Sequence, residues 1–239
     1  MGTGIKGIRT KIFADGADKS EIVELNRKHF IRGFTTNPTL IRKAGITDYA
    51  GFAKDILRII TDKPFSFEVF ADDFVEMERQ AGIIASWGEN VYVKIPITNT
   101  AGMSSSGLIR RLASKRLKLN ITAIMTIAQV REVVSCLEES PSSYISIFAG
   151  RIADTGVDPM PIMKEAVHIL KPHGNLELIW ASPREILNIF HADAVGCHII
   201  TVTHDLLNKI DMVGKDLGEF SLETVKMFFE DGQKTGFII

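Results

Sequence analysis

Short apolar runs rich in Ile, Val and Phe alternate along the chain with stretches in which apolar residues return every three or four positions. These are the periods of a buried strand and of an amphipathic helix. The pattern predicts strands at Lys11–Asp15, Ile31–Thr35, Phe65–Phe70, Val91–Ile95, Lys118–Thr122, Tyr144–Phe148, Leu176–Ala181 and His198–Val202. It predicts helices at Lys19–His29, Tyr49–Ile60, Asp73–Ser86, Ser105–Lys115, Thr126–Leu137, Met160–Leu170, Pro183–Phe190 and His204–Ile210, and a terminal helix at Leu222–Asp231. Proline at a first helical position favours the start at Pro183. Strands that recur at intervals of roughly 20–35 residues, each followed by a helix, have the spacing of βα units. A closed α/β barrel, the (β/α)8 or TIM barrel, with one extra C-terminal helix uses all eight strands; an open doubly wound sheet is the alternative. No Pro/Gly/Ser-rich linker divides the 239 residues, so a single domain over 1–239 is expected.

Composition narrows the function classes. A hydrophobic share of 45% with 24% charged residues supplies a sizeable core and excludes a disordered chain. A net charge of -1, from 28 basic and 29 acidic residues, gives no long-range field to attract nucleic acid or an anionic membrane, so any anion site must be local. Cys136 and Cys197 lie far apart and outside any CxxC pattern, which suggests neither a disulfide framework nor a zinc site. Met1 to Thr10 is polar where a secretory signal would be apolar, and no run has the length of a membrane span. A cytoplasmic location is expected. Gly2-Thr3-Gly4-Ile5-Lys6-Gly7 spells GxGxxG but precedes the first strand, whereas a dinucleotide turn follows one. The histidines show no metal-ligand spacing; His204, at the end of the last strand, is the one that could reach a substrate.

The candidate chemistry sits where polar residues interrupt apolar strands. Lys94 stands in the apolar run Val91–Thr98, where burial favours a neutral, nucleophilic amine; a lysine paired with a carboxylate is the competing reading. Asp15 ends the first predicted strand, Asn37 follows the second, Glu68 lies in the third, and Asn120 and Thr122 share one face of the fifth. Ser146 and Arg151 belong to the end of the sixth, and Ser182 and Arg184 to the end of the seventh. In a barrel these positions converge on the C-terminal mouth, where function collects. A lysine, two carboxylates and several neutral hydrogen-bonding groups suit Schiff-base aldol chemistry, which requires no metal and no organic cofactor. The carboxylates are expected to act on Lys94 through water or from a small distance.

The motifs Phe13-Ala14-Asp15-Gly16-Ala17, Gly33-Phe34-Thr35-Thr36-Asn37-Pro38-Thr39-Leu40, Val93-Lys94-Ile95-Pro96, Asn120-Ile121-Thr122 and Phe148-Ala149-Gly150-Arg151-Ile152 resemble those of the transaldolase family. The likeness is to its short, single-domain branch, close to fructose-6-phosphate aldolase. The resemblance implies that Lys94 forms the Schiff base, that Asp15 is the general base and acid of carbon–carbon cleavage, and that Glu68 and Thr122 hold a proton-shuttling water. It further implies that Asn37, Asn120 and Ser146 bind the hydroxyls of a dihydroxyacetone unit, and that Arg151, Ser182 and Arg184 take the sugar phosphate. Arg184 would gain from the dipole at the start of the seventh helix. Arg151 could instead pair with Asp154 or Asp158, and Ser182 could cap the helix at Pro183. The aldolase branch carries a glutamine and a tyrosine where Glu68 and Phe148 stand, which favours transaldolase. Trp180 and Pro183 depart from the family pattern at the acceptor pocket. The expected reaction transfers a dihydroxyacetone unit between phosphorylated sugars; the alternatives are release of free dihydroxyacetone and a barrel that binds sugar phosphates without catalysis. The expected partners are small sugar phosphates, with no nucleic acid and no membrane. The terminal helix is more apolar than a barrel flank needs, and the resemblance implies that it packs on a neighbouring subunit in a ring-shaped homo-oligomer.

Overall fold

In the computed structural model, which describes residues 3–138 and 140–237, eight parallel strands close into a barrel in sequence order. The strands are β1 (Lys11–Asp15), β2 (Ile31–Thr35), β3 (Phe65–Glu68), β4 (Val91–Pro96), β5 (Leu119–Ile124), β6 (Ser143–Ile147), β7 (Leu176–Trp180) and β8 (Ile199–Thr203). Pairing of β1 with β8, from Lys11 opposite Ile199 to Asp15 opposite Thr203, closes the ring. The helices are α1 (Lys19–Asn26), α2 (Pro38–Lys43), α3 (Tyr49–Leu57), α4 (Phe74–Ala85), α5 (Ser106–Ser114), α6 (Ile127–Cys136), α7 (Ala149–Asp154), α8 (Met160–Leu170), α9 (Leu187–Ala194), α10 (His204–Leu207) and α11 (Leu217–Thr235). Residues Ile8–Leu207 form one compact unit, the barrel, and the described parts of Met1–Gly7 and Asn208–Ile239 form a second. Gly2 of the GxGxxG string lies outside the described residues; Thr3–Ile5 is a single 3-10 turn.

Alternation along each strand divides the protein into two interiors. Outward-facing Ile12, Phe34, Phe65, Phe67, Val93, Ile95, Ile121, Ile145, Leu178 and Ile200 pack under the helices, with Ile56, Ile109, Val133, Met163 and Ile189 buried from the helical side. This outer shell supplies most of the hydrophobic stabilisation. Inside the barrel, Lys11 and Glu177 form an ion pair of 2.8 Å at the N-terminal end. Above it, Tyr92 stacks on Tyr144 at 4.0 Å, and Phe13 meets Tyr144 edge-on at 5.8 Å. Gly33 makes room for that aromatic layer, because a Cβ there would lie 2.6 Å from the Phe13 ring.

Aspartate and threonine caps start the helices that bring the chain back to the next strand. Asp18 accepts from the backbone N–H groups of Ser20 and Glu21, Asp73 from those of Val75 and Glu76, and Thr126 forms a capping box with Gln129. Four helices differ most from the sequence pattern. Two short helices at the mouth, α2 and α7, are too brief for a period to show. The helix expected at Pro183–Phe190 starts instead at Leu187, because Ser182 is left-handed (φ 62°) and the Asn188 side chain accepts from the Arg184 and Glu185 N–H groups. The terminal helix runs 19 residues, well beyond Leu222–Asp231. Among the described residues no helix is long and apolar enough to cross a membrane.

Candidate active site

The C-terminal mouth of the barrel opens on a cavity of about 570 Å3, and every strand or the turn after it contributes a lining residue. Asp15, Thr35, Glu68, Lys94, Asn120, Thr122, Ser146, Ala181, Thr201 and Thr203 form its floor and walls, in the inward-facing positions above the aromatic layer. All ten site residues expected from the sequence line this one cavity: Lys94, Asp15, Glu68, Thr122, Asn37, Asn120, Ser146, Arg151, Ser182 and Arg184.

Lys94 is 6% exposed. Its Nζ donates to the Thr36 carbonyl oxygen at 2.9 Å and lies 3.1 Å from Glu68 Oε2. Register explains the meeting: Glu68 and Lys94 are direct partners on β3 and β4, so both project from one level of the same face. The expectation that the carboxylates stand off from the lysine therefore fails for Glu68, which is in contact. Partnering the amine also compensates a charge whose burial alone would be costly. Asp15, across the barrel, accepts from Thr35 Oγ1 at 2.6 Å, and that hydroxyl meets Thr201 Oγ1 at 2.5 Å. Burial pushes the Asp15 carboxyl above its ordinary value, against the pull of the Lys94 charge and the Thr35 hydroxyl.

Asn120 is held from both sides. Its Nδ2 donates to Ser66 Oγ at 3.0 Å, and its Oδ1 accepts from Ser146 Oγ at 2.7 Å. Thr122 Oγ1 is buried with no hydrogen-bond partner among the described residues, as is Thr36 Oγ1. An orphaned hydroxyl at a cavity wall is a place for a water or a substrate oxygen. Beyond Thr122 the strand bulges: pairing with β6 shifts between Ile121 and Ile124, and Ala123 takes φ 61°. The bulge turns both Thr122 and Ala123 to the cavity. Asn37 spends its Oδ1 as the cap of α2, accepting from the Leu40 N–H at 3.0 Å, and keeps its amide N–H groups for the cavity.

The rim carries the cations, with two corrections. Arg184, not Arg151, forks onto Asp154, donating from Nε to Oδ1 at 2.9 Å and from a terminal nitrogen to Oδ2. That fork holds the Asp154 carboxyl below its usual range. Because α9 begins three residues later, Arg184 is not at a helix start and gains nothing there from a helix dipole. Arg151 lies 5.5 Å from the Phe148 ring centroid, while Asp158 accepts from the Met160 N–H at the start of α8. Ser182 does not cap a helix either, since the N-cap position of α9 is Ile186. Its backbone touches α7 instead: a Cβ on Gly150 would sit 1.5 Å from the Ser182 carbonyl oxygen, so only glycine admits the approach. Pro183 lines the cavity, but Trp180 faces outward, its ring 6.4 Å from that of His191 on α9. His204 pairs with Glu21 at 2.9 Å and does not line the mouth.

Several contributors have no signal in the sequence pattern. Ser66, Thr35 and Thr201 resemble ordinary strand residues until their partners are seen. Tyr49 of α3 accepts from the Glu68 N–H at 3.0 Å and donates to the Glu68 carbonyl oxygen at 3.2 Å, within a cluster of Phe67, Phe70 and Trp87. It fills the gap left where β2–β3 pairing ends at Thr35 and Ser66.

The model of the transaldolase/fructose-6-phosphate aldolase family matches residues 12–237. A probable transaldolase of Streptococcus agalactiae is 35% identical over 221 residues, covering 88% of this chain and 98% of that protein. One of Thermoanaerobacter is 34% identical over 227 residues, covering 95% and 98%. Among solved structures, 2,3-dimethylmalate lyase superposes with a TM-score of 0.57 at 13% identity over 98% of this chain and 86% of that one, a likeness of fold alone.

Proposed function

The chain belongs to the transaldolase/fructose-6-phosphate aldolase family, and we propose that it transfers a dihydroxyacetone unit between phosphorylated sugars, of the sedoheptulose 7-phosphate and fructose 6-phosphate class, through a Schiff base on Lys94. The observation that carries this reading is a buried lysine touching one carboxylate and facing a second across a polar mouth.

Glu68, 3.1 Å from Nζ, is placed to take the ammonium proton and free the lone pair that attacks the ketose carbonyl. The carbinolamine then loses water, and the unpartnered Thr122 hydroxyl with Glu68 gives that water two anchors. Asp15 removes the proton of the C4 hydroxyl as the C3–C4 bond breaks, leaving the electron pair in an enamine on Lys94. Its raised affinity for protons suits a base that must hold one and return it to the acceptor aldehyde in the reverse step. Asn120, fixed by Ser66 and Ser146, and the free amide of Asn37 offer hydrogen bonds to the hydroxyls of the three-carbon unit. Arg151, Arg184 and Ser182 lie together on the rim, a suitable receptor for the phosphate dianion.

Incubation with fructose 6-phosphate and borohydride should fix a dihydroxyacetone adduct on Lys94, seen by peptide mass spectrometry, and Lys94→Met should abolish both adduct and turnover. Failure with fructose 6-phosphate and every other ketose phosphate offered would overturn the mechanism. Release of dihydroxyacetone without acceptor would favour the aldolase alternative. The exposed Leu222, Val225, Phe228 and Phe229 of α11, which buries no residue, support a homo-oligomer. The buried free thiols of Cys136 and Cys197 suit a reducing, cytoplasmic setting.

A further inference from the structure

A second cavity, of about 640 Å3, lies at the opposite, N-terminal pole of the barrel, below the aromatic layer, whose Phe13 and Tyr144 reach its floor. It is within the size range of small-molecule sites. The chain as a whole carries a net charge of -1, yet the walls of this cavity concentrate cations. Arg27 comes from the turn after α1, Arg32 from β2 and Lys63 from the turn before β3, with His29 beside them and Asp62 as the only carboxylate among the lining residues. Lys11 also reaches the wall but is occupied by Glu177.

The three other cations have no such partner. The side chains of Arg27 and Arg32 make no hydrogen bond or ion pair among the described residues. Lys63 is partly buried, and its ammonium donates only to a neutral group, the Asn26 carbonyl oxygen, at 2.6 Å. Burial draws its pKa down, Asp62 opposes that, and the Arg32 charge adds to it. A partly buried cation lining one cavity with two unpaired guanidinium groups is an arrangement that an anion would relieve. The cations reach the cavity from three separate segments, which distinguishes them from the solvated charged face of one helix. Concavity favours a small molecule over a polymer, and guanidinium forks beside an ammonium match the several oxygens of a phosphate.

We propose that the N-terminal pole of the barrel binds a phosphorylated small molecule through Arg27, Arg32 and Lys63, at a site separate from the catalytic mouth. The aromatic layer of Phe13, Tyr92 and Tyr144 stands between the two cavities.

Isothermal titration of the whole chain with inorganic pyrophosphate, and separately with adenosine diphosphate, tests the site. Saturable binding is expected with either probe. Measured in an Arg151→Ala background, which removes a phosphate contact from the mouth, its Kd should rise about tenfold on adding Arg32→Ala or Lys63→Met, the effect of one lost charge-assisted hydrogen bond. Tighter binding of the nucleotide than of pyrophosphate would assign the remaining volume to an organic group, and equal binding would assign the site to phosphate alone. Arg27 and Arg32 are exposed, so their alanine variants carry the test if Lys63→Met fails to fold. Absence of saturation below about 10 mM for both probes, or loss of binding that follows Arg151 instead of Arg32, would overturn the proposal. Because the readout is binding at a pole the aldol chemistry does not use, either failure leaves the Lys94 mechanism standing.

Discussion

Asp15 works against the fold that holds it. Burial raises its carboxyl above the ordinary 3.8, so folding favours the protonated form relative to the unfolded chain. For a group raised on folding, the stabilising contribution is complete below about 3.8 and is lost as pH climbs through the folded value. Asp15→Asn removes the buried charge while keeping an oxygen to accept from Thr35. Thermal melts should show this variant more stable than the parent at about pH 8, by about 2–4 °C for each kcal/mol relieved, with the gap closing toward pH 4. Its kcat should fall by about a hundredfold or more, as expected on losing a general base. At Thr122 the hydroxyl has no hydrogen-bond partner among the described residues. Thr122→Val should leave the Tm unchanged or higher, while single-turnover kinetics show imine formation slowed about a hundredfold. Lys94, Asp15 and Glu68 are legible in sequence as charged residues inside apolar runs, but the run alone leaves open the competing reading of Lys94 as an ion-pair member, and the contact with Glu68 is such a pair. Ser66 and Thr201 are not legible, since a small hydroxylated residue gains meaning only from a partner on another strand.

At the scale of elements, the strands are legible to within two residues at each end and the short mouth helices are not. Eight apolar runs repeat too regularly to miss, but α2 and α7, of six residues each, are shorter than two turns and carry no period. The late start of α9 was hidden because Pro183 is a favourable first residue for a helix, and only the left-handed Ser182 shows that the chain turns first. Tyr49 illustrates how one helix governs the next strand. It satisfies both backbone groups of Glu68 beyond the point where β2 ceases to pair. Tyr49→Phe keeps the ring among Phe67, Phe70 and Trp87 but frees those groups. We expect a loss of about 1–3 kcal/mol in denaturant titrations and a fall in kcat with KM held, since the carboxylate facing Lys94 loses its anchor. Equal kinetics in the two proteins would make the contact purely structural.

At the scale of the molecule, α11 presents Leu222, Val225, Phe228 and Phe229 without burying any residue. If the helix serves a homo-oligomer, Val225→Glu with Phe229→Glu should convert the assembly to monomer in size-exclusion chromatography while the circular dichroism of the barrel is retained. A parent protein that already elutes as monomer would sink the idea. The barrel itself keeps stability and chemistry on opposite faces of the same strands. On β5, Leu119 and Ile121 pack outward, whereas Asn120 and Thr122 face the cavity. Saturation mutagenesis that scores cellular abundance and catalytic output separately should therefore return a phenotype that flips with residue parity. Leu119 and Ile121 would be depleted in the abundance score and Asn120 and Thr122 only in the activity score. A lineage of such proteins could exchange its substrate one inward position at a time without first having to refold.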